Sequence, residues 1–367
     1  MIQKNILIVV GTRPNFIKIT RFKAVVAAKY TDRINIKIVH TGQHFDHKMA
    51  DVFFQQLNIY PDFFLDIPAA RANIQMGEIM IRLEKIITDF KPEMMLVVGD
   101  VNSTFAAALT GNKLGVKIAH IESGLRSFDR GMPEEINRIL TDEISDIYFI
   151  TEESVIKNLK KEGKPKEAIH FVGNTMIDTL VAFEDEIDKA TVLEDLGLLP
   201  QEYVLMTMHR PSNVDELAGL MKLVQLLKQL SADLKVVFPI HPRTVKKLKE
   251  SDLYSTIESN PKIIISEPLD YFSFQKLIAN CFAVITDSGC IQEETTYKQV
   301  PCLTLRANTE RPSTIKIGSN ILLNFEVNKV MDAVHDIRSG NHKKGNVPPL
   351  WDGKATERIV EALNKII

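Results

Sequence analysis

Three carboxylates stand where packing alone would not put them: Asp100 in VVGDVNST, Glu122 in AHIESGLRS and Glu134 in MPEEINR. A buried acid is costly unless paired, so acids gathered at strand ends point to pKa tuning for proton transfer. Each also has a local alternative. Asp100 would cap the next helix through the Ser103 and Thr104 amides, and Glu134 with Glu135 would favour a helix start after Pro133. Cations lie upstream in GTRPNFIK, where Gly11 permits a tight turn and Arg13 and Lys18 flank a helix start. That combination suits a phosphate or an acidic sugar, or is a surface turn with solvated charges.

The second half carries a matching set. MTMHRPSN puts His209 and Arg210 directly after an apolar run, and FPIHPRT repeats the pattern with His241 and Arg243. ITDSGCIQEE places Ser288 and Gly289 before a helix, a second anion-binding N-terminus. Glu294 lies about one and a half turns further on, within reach of a ribose hydroxyl pair. LRANTERPSTI adds Arg306, Glu310 and Arg311. A histidine after a strand is often a satisfied structural group; opposite an acidic half, a functional role is the expectation.

HTGQHFDHKM packs His40, Gln43, His44 and His47 around one turn, with no cysteine or acid at ligand spacing. Hydrogen-bonding roles are expected there and no metal site. The chain has neither a G-x-G-x-x-G nor a Walker loop, so dinucleotide and ATP chemistry have no sequence support.

The elements that must hold these residues alternate in βα fashion. NILIVV, INIKIVH, MMLVVGD, VKIAHIE and DIYFIT are each followed by a helix-like stretch, and the pattern restarts after Gly173 with YVLMTMH, LKVVFPIH, KIIISEP, FAVITDSG and VPCLTLR. This is the signature of α/β domains with mostly parallel sheets, in which ligands sit beyond the carboxyl ends of the strands. A chain of 367 residues exceeds the usual size of one core. The expected organisation is a first domain over 1–172, a second over 173–350, and a terminal helix over 351–367 that docks on the body and crosses back to the first domain.

Composition narrows the partners. Lys+Arg 45 against Asp+Glu 47 leaves a net charge of -2, with no global attraction to nucleic acid or an anionic membrane surface. The apolar run at the N-terminus is too short for a signal peptide or span, and three cysteines are odd in number and lack metal spacing. A cytoplasmic enzyme is expected.

Taken in order, GTRPN, HTGQH, GDVNST, HIESGLR, PEEINR, VGNTMID, MHR, DSGCIQEE and TERP resemble the non-hydrolysing UDP-N-acetylglucosamine 2-epimerases along nearly the whole chain. The resemblance implies a GT-B architecture of two Rossmann-like doubly wound parallel-sheet domains with an interdomain cleft, a homodimer, and neither metal nor redox cofactor. It implies C2 inversion of a UDP-sugar by elimination of UDP to a 2-acetamidoglycal and re-addition. Asp100, Glu122 and Glu134 match the acid/base carboxylates, and Arg13, Lys18 and His209 match the surroundings of the leaving diphosphate. Ser288 and Gly289 match phosphate contacts, Glu294 the ribose contact and Phe274 the region that holds uracil. His241 and Arg311 complete the expected UDP-binding set.

Departures from the family pattern are Asn15 in place of Glu, Val101 and Asn102 after Asp100, Ser123 in place of Ala, and the short SFDRGM loop. Similar short loops and a HTGQHFD turn occur in relatives acting on UDP-2,3-diacetamido-2,3-dideoxyglucuronate, which makes that sugar the alternative substrate. A hydrolysing epimerase and a GT-B glycosyltransferase are the other readings. In some bacterial members Gln43, His44 and the arginine near Arg71 line a second, activating UDP-sugar site.

Overall fold

The NILIVV run forms β1 (Lys4–Val10), whose last five residues are all buried. A strand covered on both faces reads as a continuous apolar run because helices pack on either side of a parallel sheet. The computed structural model describes residues 3–42, 54–68 and 70–367. Gln43 and His44 therefore lie outside the described residues.

Within the first sheet β1 pairs in parallel with β2 (Ile34–His40) and β4 (Met94–Val98). With β3 (Phe63–Phe64), β5 (Lys117–Ile121), β6 (Ile147–Ile150) and β7 (Ile169–Phe171), the spatial order is β3-β2-β1-β4-β5-β6-β7. The second sheet repeats the plan: β8 (Tyr203–Thr207), β9 (Lys235–Pro239), β10 (Ile263–Ser266), β11 (Ala283–Thr286), β12 (Cys302–Leu305) and β13 (Asn320–Leu323) run in the order β10-β9-β8-β11-β12-β13. Both are Rossmann-like sheets, the pair that defines a GT-B chain. In each, strand order reverses between the first strand and the fourth, the switch point at which such folds bind ligands.

Two compact units contain these sheets: Met1–Ala182 with Pro349–Ile367, and Phe183–Pro348. Successive residues of β8 serve opposite layers of the second unit. Val204 and Met206 pack with Leu220, Leu223 and Leu227 of the helix Leu217–Asp233. Tyr203 and Leu205 pack with Leu277 and Ile278 of the helix Tyr271–Asn280. This is the two-residue alternation of a strand expressed as two cores.

The last helix, Ala355–Ile366, belongs to the first unit. Buried Asp178 accepts the Ala355 and Thr356 N–H groups at 3.0 and 2.5 Å, so its carboxylate caps that helix across 177 residues of sequence. Buried Trp351 donates Nε1–H to the Thr151 carbonyl at 2.9 Å. No described helix is long and apolar enough to cross a membrane.

Candidate active site

At the switch point of the first sheet, the turn after β1 faces the turn after β4. Asn15, in the short helix Arg13–Ile17, is buried and donates Nδ2–H to the Val98 carbonyl at 2.8 Å, stitching the two turns together. Gly99 follows with a left-handed φ of 70°, and a Cβ there would stand 3.1 Å from Asn15 Nδ2, 3.5 Å from Glu122 Oε2 and 3.6 Å from Lys18 Nζ. Glycine is required both for the turn and for this crowding.

Glu122 and Lys18 form a buried ion pair at 2.6 Å. Glu122 Oε2 takes the ammonium, while Oε1 is buried without a hydrogen-bond partner. The residue also holds a left-handed φ of 71°, which costs a non-glycine residue about 1–3 kcal/mol. A strained acid with one buried oxygen left without a hydrogen-bond partner is poorly explained as packing.

The N-cap of the helix Asn102–Lys113 is Val101, which makes no side-chain capping bond. The Asp100 carboxylate just before it pairs with Arg138, and the Asp100 carbonyl accepts Asn137 Nδ2–H at 3.0 Å. Arg138 is 2% exposed and also pairs with Glu135. Glu135 in turn accepts the Ser127 N–H at 2.9 Å and the Phe128 N–H at 3.0 Å. The helix Pro133–Glu143 thus ties the SFDRGM loop to Asp100. Glu134 sits in the exposed first turn of that helix, beside buried Glu135.

A second buried network flanks Glu122 along the chain, on β5 and the segment after it. His120 lies between the Gly99 carbonyl, 2.8 Å from Nε2, and Asp142, 2.6 Å from Nδ1. Asp142 also accepts the Gly124 N–H at 2.9 Å and pairs with Arg126 at 2.7 Å. Burial alone would raise the Asp142 carboxyl, but His120, Arg126 and the Gly124 N–H outweigh it and hold the group below its ordinary value.

Arg13 is exposed at the start of its helix. Arg71 is the exposed residue preceding the helix Ala72–Phe90. His40 is buried among Phe16, Phe54 and Phe64, and its Nδ1 accepts the Gly42 N–H at 3.0 Å. Among the described residues no three His, Cys, Asp or Glu side chains are grouped to hold a metal ion.

The second unit places its set at its own switch point. Ser288 precedes the helix Gly289–Tyr297 without capping it through its side chain, so the first-turn amides have no side-chain acceptor from that residue. Beside them the Arg311 guanidinium is paired with Glu293 at 2.9 Å and with Glu310, and Glu310 holds Arg306 at 2.9 Å. Glu294 is 4% exposed one turn further in. His209 follows β8 and meets Asp287, with Nδ1 3.1 Å from Oδ1; its ring lies 5.4 Å from that of His241. His241 caps the helix Pro242–Glu250 by accepting the Arg243 N–H at 3.1 Å. Phe274 has its N–H bonded to the Asp270 carbonyl at 3.1 Å and its side chain against the second core.

Sequence reasoning missed Arg138, Asp142 and Asp287, and read Glu135 only as a helix-start residue. Asp287 had a local signal, as the acid that follows β11 in ITDSG. The first unit gathers acids just beyond β4 and β5, and the second a helix N-terminus beside a buried arginine–glutamate network.

The family model described as UDP-N-acetylglucosamine 2-epimerase matches residues 27–364. The UDP-N-acetylglucosamine 2-epimerase of Methanocaldococcus jannaschii is 39% identical, covering 97% of this chain and 98% of its own. The UDP-2,3-diacetamido-2,3-dideoxy-D-glucuronate 2-epimerase of Pseudomonas aeruginosa is 37% identical, covering 98% and 99%. The crystal structure of the M. jannaschii enzyme in complex with UDP-GlcNAc and UDP superposes with a TM-score of 0.90, covering 98% and 99% of the two chains. This chain belongs to the UDP-N-acetylglucosamine 2-epimerase family.

Proposed function

We propose that the protein interconverts UDP-GlcNAc and UDP-ManNAc without net release of UDP. The observation that carries the reading is the buried Lys18–Glu122 pair with its unpartnered Glu122 Oε1, next to Gly99 and Asp100. Removing a weakly acidic C2 proton needs a fixed, desolvated base, and returning it to the other face needs a second acid. Asp100, Glu122 and Glu134 supply that set.

In the forward step a carboxylate takes the C2 proton, the C–H electron pair becomes the C1=C2 bond, and the C1–O bond breaks with its electrons leaving on the UDP oxygen. UDP then adds back to C1 while a carboxylic acid returns a proton to C2 from the opposite face. Arg13 and His209 stabilise charge on the departing diphosphate, where preorganised donors count most. Ser288, Gly289 and Arg311 hold the phosphates, Glu294 the ribose, and His241 and the Phe274 segment border the nucleotide. The protein works as a homodimer, which a solution mass of two chains would support. Gln43, His44 and Arg71 form a regulatory UDP-sugar site, read as activation of turnover by added UDP-GlcNAc.

The second reading is epimerisation of UDP-2,3-diacetamido-2,3-dideoxyglucuronate, favoured by the P. aeruginosa relative and by the SFDRGM loop. Incubation with each UDP-sugar in D2O, followed by NMR, tests both. Deuterium at C2 with UDP still attached is expected for the true substrate. Full retention of C2 hydrogen, or one free UDP per turnover, would overturn the mechanism.

A further inference from the structure

Asp287 is fully buried at the carboxyl end of β11, and its two oxygens receive more than a turn requires. They accept the His209 N–H at 3.1 and 3.2 Å, the Arg210 N–H at 2.9 Å and Asn213 Nδ2–H at 3.1 Å. Those three donors already fix the segment after β8. The fourth contact, His209 Nδ1 at 3.1 Å, does something the others do not. An ionised carboxylate only accepts, so the ring nitrogen facing it must carry the proton.

Burial alone would raise the Asp287 carboxyl, but the His209, Arg210 and Asn213 donors outweigh it and hold the group below its ordinary value. The acid is ionised at neutral pH and its charge is available to the ring. His209 keeps 40% of its side chain exposed, so its outward edge is open to a ligand. The neighbouring His241 has the opposite arrangement, with Nδ1 accepting the Arg243 N–H.

We propose that Asp287 is a positioning residue for His209: it fixes the Nδ1–H tautomer and turns Nε2 outward, toward a bound anion. No bond to substrate is made or broken through it. The identity of the anion as a diphosphate rests on the proposed function, whereas the tautomer does not. A carboxylate that orients a histidine in this way is a recurring device, and losing it typically costs about 10–100-fold.

The test is two-bond 1H–15N NMR on the 15N-labelled full chain, with His209 assigned by comparison with His209→Gln. In the free protein the spectrum shows a protonated Nδ1 and a bare Nε2. Asp287→Asn loses that preference for the Nδ1–H form and lowers kcat about 10–100-fold with KM little changed. Asn213→Ala, which removes one bond to Asp287 without touching the ring, keeps the wild-type His209 pattern. A free protein with its proton on Nε2, or an Asp287→Asn variant with unchanged His209 signals and kcat, overturns the proposal. If that variant does not fold, the wild-type spectrum decides. Absence of epimerase turnover with the tautomer intact would sink the functional reading and leave the positioning role standing.

Discussion

Lys18 Nζ lies 2.6 Å from Glu122 Oε2, with the two side chains 5% and 3% exposed. Breaking a buried pair by removing one partner leaves an uncompensated charge and costs about 3–5 kcal/mol, whereas removing both costs far less. Lys18→Met and Glu122→Gln should therefore each lower stability by about that amount in urea unfolding, and the double variant should recover most of it. Activity should not follow. Glu122→Gln and the double variant should both lose about 10²–10⁴ in turnover, because the acid/base group is gone from each. Near-normal turnover by either would remove Glu122 from the mechanism.

The difference between what sequence revealed and what it hid is visible in this pair. Glu122 was legible as an acid directly after an apolar strand, and Lys18 as a cation near a turn. Their partnership was not, because 104 residues separate them and Lys18 read equally well as an anion ligand. Arg138 and Asp142 were hidden for a related reason. In PEEINRILTDE they look like ordinary helix-surface charges, and only packing buries them, Arg138 against Asp100 after β4 and Asp142 against His120 in β5 and Gly124 and Arg126 beyond it. The long parallel strands were readable as apolar runs such as MMLVV. Strands of two or three residues, Phe63–Phe64 and Ile169–Phe171, are too short to carry any periodicity.

Gly289→Ala sets helix propensity against space. In an open helix the change would stabilise by up to about 1 kcal/mol. Here the new Cβ would stand 2.7 Å from Arg311 Nη1 and 2.9 Å from Glu310 Oε1, inside any normal contact, and both side chains are held in a buried ion network. The expected outcome is a lower Tm and at least about tenfold weaker UDP binding by calorimetry, one displaced charge-assisted contact being worth about 1.5–3 kcal/mol. A raised Tm with unchanged affinity would show that the pair is free to move.

His40 gives the first unit a defined acid sensitivity. Burial pushes its pKa down from 6.5 to about 4, with Asp66 opposing weakly. The unfolded chain therefore binds a proton at this site more readily than the folded chain between those two values. Stability falls as pH drops through that window, by up to about 3 kcal/mol, and rises as pH climbs back. His40→Asn retains an acceptor for the Gly42 N–H but does not titrate. It should be less stable at pH 7 through lost ring packing, yet flatter between pH 6.5 and 4 in urea midpoints. An equally steep variant would move the acid sensitivity elsewhere.

Asp178 is the test of how the last helix is held. Its buried carboxylate satisfies two first-turn amides of Ala355–Ile366, so truncation removes a cap and leaves buried donors unmet. Loss of a helix cap costs about 0.5–2 kcal/mol, and an unsatisfied buried group about 1–3 kcal/mol. Asp178→Ala should fall near the upper part of those ranges. Asp178→Asn, which keeps one accepting oxygen, should lose roughly half as much. Hydrogen exchange separates this from general destabilisation: the amides of Ala355 and Thr356 should lose protection well before those of β1, because the helix can detach while the sheet stays paired. Equal loss in both segments would mean that the helix and the sheet unfold as one body, with Asp178 contributing to the whole unit rather than to the docking of its last helix.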